Sequence, residues 1–145
     1  TNALGTTVSN DGTFRTLPGV SQYELWRLFY SAGGPNDDHD RDSWINLLEF
    51  ALGGHPYEHN AKLIHMNVDD TYLHLYHWRA RAAINDGYLF VPEWSTDLNP
   101  SGWNPSGFTT TILSDDGEFQ WVRHSIPRGG DLIKFARLTI VPTDP

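Results

Sequence analysis

Oxygen-bearing side chains recur through residues 38–49 (DHDRDSWINLLE) at loop positions 1, 3, 5, 9 and 12: Asp38, Asp40, Asp42, Asn46 and Glu49. That is the ligand spacing of a calcium loop of the EF-hand type, in which a short acidic segment folds around a hard cation and supplies its oxygens. Trp44 stands at position 7, where the backbone carbonyl is the ligand, and Glu49 is long enough to bind through both oxygens. Position 6, the sharp-turn glycine of such loops, is Ser43. A non-glycine held at positive φ costs about 1 kcal/mol, so a weaker site is expected rather than none. A solvated acidic turn capping a helix would account for Asp42 or Ser43. It would not account for three alternating aspartates followed seven residues later by a glutamate. The expected cofactor is therefore Ca2+, held by Asp38, Asp40, Asp42, Trp44, Asn46 and Glu49.

The flanking sequence has the punctuation that such a loop needs. Ser21 and Glu24 form a capping box, and the turns that follow place Tyr23, Trp26, Phe29 and Tyr30 on one face, up to a stop at Gly33-Gly34-Pro35. A second helix then runs through Trp44, Leu47, Leu48, Ala51 and Leu52 and closes on Gly53-Gly54. Beyond Pro56 the pattern changes to period two. Residues 62–67 and 71–78 are strand candidates, with Tyr72, His74, Tyr76 and Trp78 on one face and Leu73 and Leu75 on the other. Asn85-Asp86-Gly87 reads as a hairpin turn into a strand over 88–94, where Pro92 marks an edge or a bulge. Residues 109–113 and 119–125 form another hairpin, and 132–141 is the last strand. Between them lies a small repeat, NPSGW then NPSGF.

These elements predict a mainly β protein: an antiparallel β-sandwich of six to eight strands with an N-terminal EF-hand-like helix–loop–helix unit. Residues 1–19 read as an extended polar arm. Residues 20–145 read as one domain, with the helical calcium-loop hairpin over 20–56 and the sandwich over 60–142.

The run from Asp38 to Pro56 (DHDRDSWINLLEFALGGHP) resembles a module found near the C-termini of many exported proteins of planctomycetes and verrucomicrobia, where it typically reads DxDGDGxxNLLEYALGxxP. The later elements of that module look like Trp94-Ser95-Thr96-Asp97-Leu98 with Trp103, and Phe135-Ala136-Arg137-Leu138-Thr139-Ile140. The resemblance covers Tyr23 to about Pro142. It implies a calcium-stapled β-sandwich without catalysis of its own, appended to larger exported proteins.

Composition narrows the function classes. A net charge of −8 argues against nucleic acid. No apolar run approaches the ~20 residues of a membrane span. With no cysteine in the chain, a metal takes the part that disulfides play in many secreted domains. Thr1 at the start and a single methionine, Met66, fit an initiator lost by processing or truncation, and a removed secretion signal would leave such a start. The expected location is extracellular or at the cell surface.

No nucleophile elbow, phosphate loop or dinucleotide fingerprint is present. Asp69-Asp70 and Asp115-Asp116 sit in turns, where aspartate is favoured locally. His55 and His59 share a spacing that zinc uses on helices, but Gly54 and Pro56 break any helix there. His74 and His77 fall on opposite faces of a strand, and His65 and His124 read as surface or satisfied positions. The expectation is no enzyme. Two non-enzymatic readings remain. One is a structural subunit that polymerises as a homo-oligomer or filament, its arm adding as a strand to a neighbour's sheet. The other is a carbohydrate-binding or cell-surface attachment module, with Trp94, Trp103 and Trp121 as stacking platforms for glycans.

Overall fold

Ser21 opens the first helix, α1 (Gln22–Tyr30), its Oγ accepting from the Glu24 N–H at 3.1 Å. Glu24 turns to Arg27 instead of reaching back to complete the capping box. A distant residue does part of that work: the Asp86 carboxylate accepts from the N–H groups of Gln22 and Tyr23, both at 2.7 Å. An anion at a helix N-terminus is favourable, and this one ties α1 to a corner 64 residues away. The helix stops before the predicted Gly-Gly-Pro because Ser31 enters the left-handed region (φ 54). Ala32 N then donates to Arg27 O and Ser31 N to Leu28 O, a Schellman-type ending.

In the computed structural model, residues 19–131 and 133–143 are described. The expected arm over 1–19 lies, but for Gly19, outside them. The remaining elements follow in order: α2 (Asn46–Leu52), β1 (Ile64–Val68), β2 (Tyr72–Ala80), α3 (Arg81–Asn85), β3 (Tyr88–Ser95), β4 (Thr109–Asp115), β5 (Phe119–Pro127) and β6 (Phe135–Pro142). The protein is mainly β. The strands form two antiparallel sheets, one of four strands in the order β1-β2-β5-β4 and one of two, β3-β6.

The predicted alternation along β2 holds except at His74, which is buried although it shares a face with Tyr72 and Trp78. Leu73, Leu75 and His77 are buried on one side, and Tyr72 and Trp78 are exposed on the other. His77 lies parallel to Phe90 of β3, ring centroids 5.5 Å apart, which brings the two sheets together. The helices meet the strands in a cluster of Tyr23, Phe50, Ala51, Ala80 and Ala83, with Trp26, Leu47, Phe90, Phe119 and Ile140 around it. Ala51 and Ala83 are wholly buried, and small side chains there let helix and strand backbones come close.

One connection differs from the sequence reading. Asn85-Asp86-Gly87 does not join a hairpin, because β2 and β3 belong to different sheets. Arg81–Asn85, with its two alanines, forms the short helix α3. Gly87 (φ 83) then turns the chain into β3. Pro92 sits opposite Leu138 in the two-stranded sheet, where every strand is an edge and its missing N–H is harmless. The NPSG repeat makes one turn twice: Asn99 Oδ1 accepts from Ser101, and Asn104 Oδ1 from Ser106, through backbone N–H and hydroxyl in each case.

Candidate metal site

The segment between α1 and α2 is fastened at its base by backbone groups. Asn46 N donates to Asp37 O at 2.8 Å and Leu47 N to Pro35 O at 3.0 Å. These are the donors at the start of α2 that no side chain caps, since its N-cap residue is Ile45. Asn46 Nδ2 adds a bond to Gly34 O at 2.9 Å. Asp37 holds the other side by accepting from Gly34 N at 2.6 Å, and a Cβ on Gly33 would overlap its carboxylate.

Inside this closed base the three aspartates converge. One carboxylate oxygen each from Asp38, Asp40 and Asp42 lies within 4.8 Å of the others. Among the described residues this is the group of three or more His, Cys, Asp or Glu side chains that come together so. Asp38 and Asp40 each accept from Asp42 N at 3.2 Å, Asp38 also from Ser43 N at 3.0 Å, and Asp42 Oδ1 from Trp44 N at 2.8 Å. The loop reaches this shape through two left-handed residues, Arg41 (φ 62) and Ser43 (φ 78). Both stand where a calcium loop of this kind prefers glycine.

The predicted ligand Glu49 is not part of that converging group; it and Asn46 are buried, 1% and 0% exposed. Three buried oxygens in this region make no hydrogen bond: Asp40 Oδ2, Asn46 Oδ1 and Glu49 Oε2. They belong to loop positions 3, 9 and 12. An unpaired buried acceptor costs about 1–3 kcal/mol, and a charged one more. Burial foremost, and then the charges of Asp40, Asp42 and Asp38, push the Glu49 carboxyl up to about 7, against the pull of a hydrogen bond from Asn60. Asp42 is pushed up by burial, but N–H groups of Asn60 and Trp44 outweigh this and hold it below the usual carboxylate range. The donor set is all oxygen, mostly carboxylate, and short of protons to share. Those are the properties a hard divalent cation fits, and a soft metal does not.

Sequence reasoning missed Asn60. Its Nδ2 donates to Asp42 Oδ2 at 3.0 Å and to Glu49 Oε1 at 2.7 Å, and its backbone N to Asp42 Oδ2 at 2.6 Å. Its Oδ1 accepts from His55 N at 2.8 Å. One amide therefore orients two of the expected ligands, and a Cβ on Gly54 would stand 3.0 Å from its Oδ1 and 3.1 Å from Glu49 Cα. The spacing of 18 residues from Asp42 obeys no local rule. A hint was available in Gly54, the second glycine of a pair where the helix stop needs one.

The histidines join no such cluster. His55 Nδ1 accepts from Tyr57 N, and His74 bonds Asp69 and Ser125. His77 and His124 are buried on the inner face of the four-stranded sheet, their Nε2 atoms 2.9 Å apart. His77 Nδ1 donates to Trp78 O and His124 Nδ1 accepts from the Thr110 hydroxyl, both at 2.8 Å. In that chain His124 Nε2–H donates to His77 Nε2, so both rings are neutral and every ring nitrogen has a partner. Burial holds both imidazoles down to about 4.

Of the candidate stacking residues, Trp94 carries Lys134 Nζ over its ring at 4.4 Å and donates Nε1–H to Ser106 O, and Trp103 carries the Arg137 guanidinium at 4.2 Å. Trp121 instead joins Tyr76 and Trp78 on the other face of the large sheet. No helix of the described residues is long and apolar enough to cross a membrane. The chain matches no family model, no curated protein and no solved structure.

Proposed function

We propose that this chain is a non-enzymatic, calcium-stapled structural module. Its helix–loop–helix unit is EF-hand-like, its two sheets are the halves of a β-sandwich, and it serves as a secreted subunit of an extracellular filament or surface assembly. One observation carries the calcium reading. The oxygens left without a donor in the buried acidic corner belong to Asp40, Asn46 and Glu49, three residues that the loop spacing assigns to the ion. Asp38 and Asp42 complete the carboxylate cage, and Trp44 occupies the carbonyl position. The ion would replace repulsion among four carboxylates with attraction, and it would fasten α1, α2 and the 55–60 segment at one point.

The extracellular and structural part of the reading is supported by the resemblance of residues 38–56 to a module of exported proteins. Calorimetric titration with Ca2+ tests the site: one ion per chain is expected, with Mg2+ much weaker. No heat with Ca2+ at millimolar concentration would remove the staple. Negative-stain imaging at rising protein concentration tests the assembly. Polymers that vanish when residues 1–17 are deleted are expected, and single particles at every concentration would leave a monomeric module.

A further inference from the structure

The four-stranded sheet has an outer face whose chemistry the calcium reading does not use. Tyr72, His74, Tyr76 and Trp78 alternate onto it from β2. The register sets Trp121 beside Trp78, Arg123 beside Tyr76, and His65 beside Tyr76 on the other side. Residues paired across antiparallel strands point to the same side, so these groups form one surface. The rings touch. Tyr76 and Trp121 are stacked with centroids 5.8 Å apart, Trp78 and Trp121 are 5.0 Å apart, and His65 meets Trp121 edge-on at 6.0 Å. Tyr72 and Trp78 are 37% and 42% exposed, which is costly for large rings unless something covers them.

Two further observations say what kind of partner fits. The first is Arg123. Its Nε is buried without a hydrogen bond, and its guanidinium makes no ion pair among the described residues. The chain has 18 carboxylate side chains for 10 Lys and Arg, so the lack of an ion pair at Arg123, which stands opposite Tyr76 in the register, is not explained by a shortage of partners. The second is the distribution of those carboxylates. Thr109, Thr111, Ser114, Ser125, Asn67 and Pro127 stand at other register positions of this face, and none of the strand residues paired onto it is Asp or Glu. One carboxylate reaches this surface, that of Asp69, and it is already bonded to His74 Nε2 at 2.9 Å.

We propose that this face binds an acidic polysaccharide, sugar rings stacking on Tyr72, Tyr76, Trp78 and Trp121 while a uronate carboxylate pairs with Arg123. Aromatic faces suit the C–H sides of pyranose rings, the threonine and serine hydroxyls suit their oxygens, and guanidinium suits a carboxylate through two parallel N–H bonds. A single-stranded nucleic acid would use the same rings, but it brings a phosphate with every base. One guanidinium on a protein of net charge −8 does not meet that demand, whereas a glycan with a spaced acidic group needs only one. The proposal is independent of the calcium staple.

The experiment titrates the full chain, by calorimetry and tryptophan fluorescence, with a short oligogalacturonate, a cello-oligosaccharide and a single-stranded oligonucleotide. Saturable binding of the oligogalacturonate is expected, with the neutral sugar weaker by about tenfold or more. Arg123→Gln should remove that preference, and Trp78→Ala should weaken both sugars. Trp78 is exposed, so its variant is expected to keep the wild-type circular dichroism, which the same samples would report. Failure of the wild type to bind any sugar at millimolar concentration overturns the proposal. So does tighter binding of the oligonucleotide, or unchanged uronate affinity in Arg123→Gln.

Discussion

The histidine pair and the acidic corner are both buried polar clusters, and they are built on opposite plans. The histidine pair on the inner sheet face is complete: Trp78 O, His77, His124 and the Thr110 hydroxyl form a chain in which each donor meets an acceptor. The acidic corner is made of acceptors, and three of its buried oxygens meet no donor. The first cluster carries no net charge, the second carries up to four negative ones. A satisfied neutral network stabilises by itself, and removing one member leaves its neighbour stranded. A crowd of carboxylates stabilises only with a counter-charge, and removing one member relieves the rest. Mutations in the two clusters should therefore have opposite signs in the absence of metal.

The largest expected effect is the response to calcium. With Ca2+ at a thousand times its dissociation constant, the folded state gains about 4 kcal/mol. For a chain of this size that corresponds to a rise in melting temperature of about 10 °C. Asp40→Asn and Glu49→Gln should abolish most of that rise. In chelator the same two variants should melt no lower than the wild type, because each removes a buried or crowded charge. Thermal unfolding with and without chelator checks both halves. A variant that melts several degrees lower in chelator would break the comparison, because it would show the acids to be stabilising on their own.

The histidine pair should respond in the other direction under every condition. His77→Ala deletes a wholly buried ring stacked on Phe90 and strands His124 Nε2–H. A loss of about 3 kcal/mol is expected from the cavity and the unpaired donor together. Chemical denaturation should give the same loss with calcium or with chelator. A loss that depends on the metal would mean that the two clusters are coupled through the sheet.

How much of each cluster was legible in the sequence follows from the range of its contacts. The convergence of Asp38, Asp40 and Asp42 was readable because the three lie within five residues and local spacing brings their carboxylates together. Asn60 escaped because it reaches the corner from outside the loop, after the turn at Pro56, where no periodicity constrains it. The histidine pair was out of reach for a stronger reason. His77 and His124 are 47 residues apart, and they meet only because β2 and β5 are adjacent with Leu75 opposite His124. Alternation along β2 gave the faces of single strands, but the order of strands in a sheet is a tertiary choice that no single strand records. The same limit explains α3. A turn signal at Asp86-Gly87 was real, yet whether it closes a hairpin depends on which sheet the next strand joins.

Acid sharpens the contrast further. The folded protein holds His77 and His124 at about 4, below the ordinary histidine value near 6.5. A base with a depressed folded pKa contributes stability that is fully present above the unfolded value and is lost as pH falls toward the folded one. The unfolded chain takes up protons in that window and the folded chain does not. Stability should drop by about 3 kcal/mol between pH 6.5 and 5 on this account, about half from each ring. Glu49 has the opposite sign, since its raised carboxyl pKa favours the folded state as pH falls below about 7. Denaturation across this range in the Glu49→Gln background isolates the histidine contribution. A flat profile there would mean that the pair accepts a proton without opening.

The smallest expected effect concerns the backbone of the acidic corner. Ser43 adopts φ 78, a conformation in which its Cβ is crowded and a glycine is not. Its N–H donates to Asp38 Oδ2, a bond that glycine retains. Ser43→Gly should therefore relieve about 1 kcal/mol of strain, partly offset by the greater freedom of glycine in the unfolded chain. If the strained turn is the shape that the ion requires, the gain appears as tighter calcium binding with little change in chelator. If the turn is equally formed without the ion, the gain appears in both conditions alike. Calorimetric titration and denaturation of the one variant separate these outcomes. Weaker binding by Ser43→Gly would show that the serine hydroxyl itself supports the site.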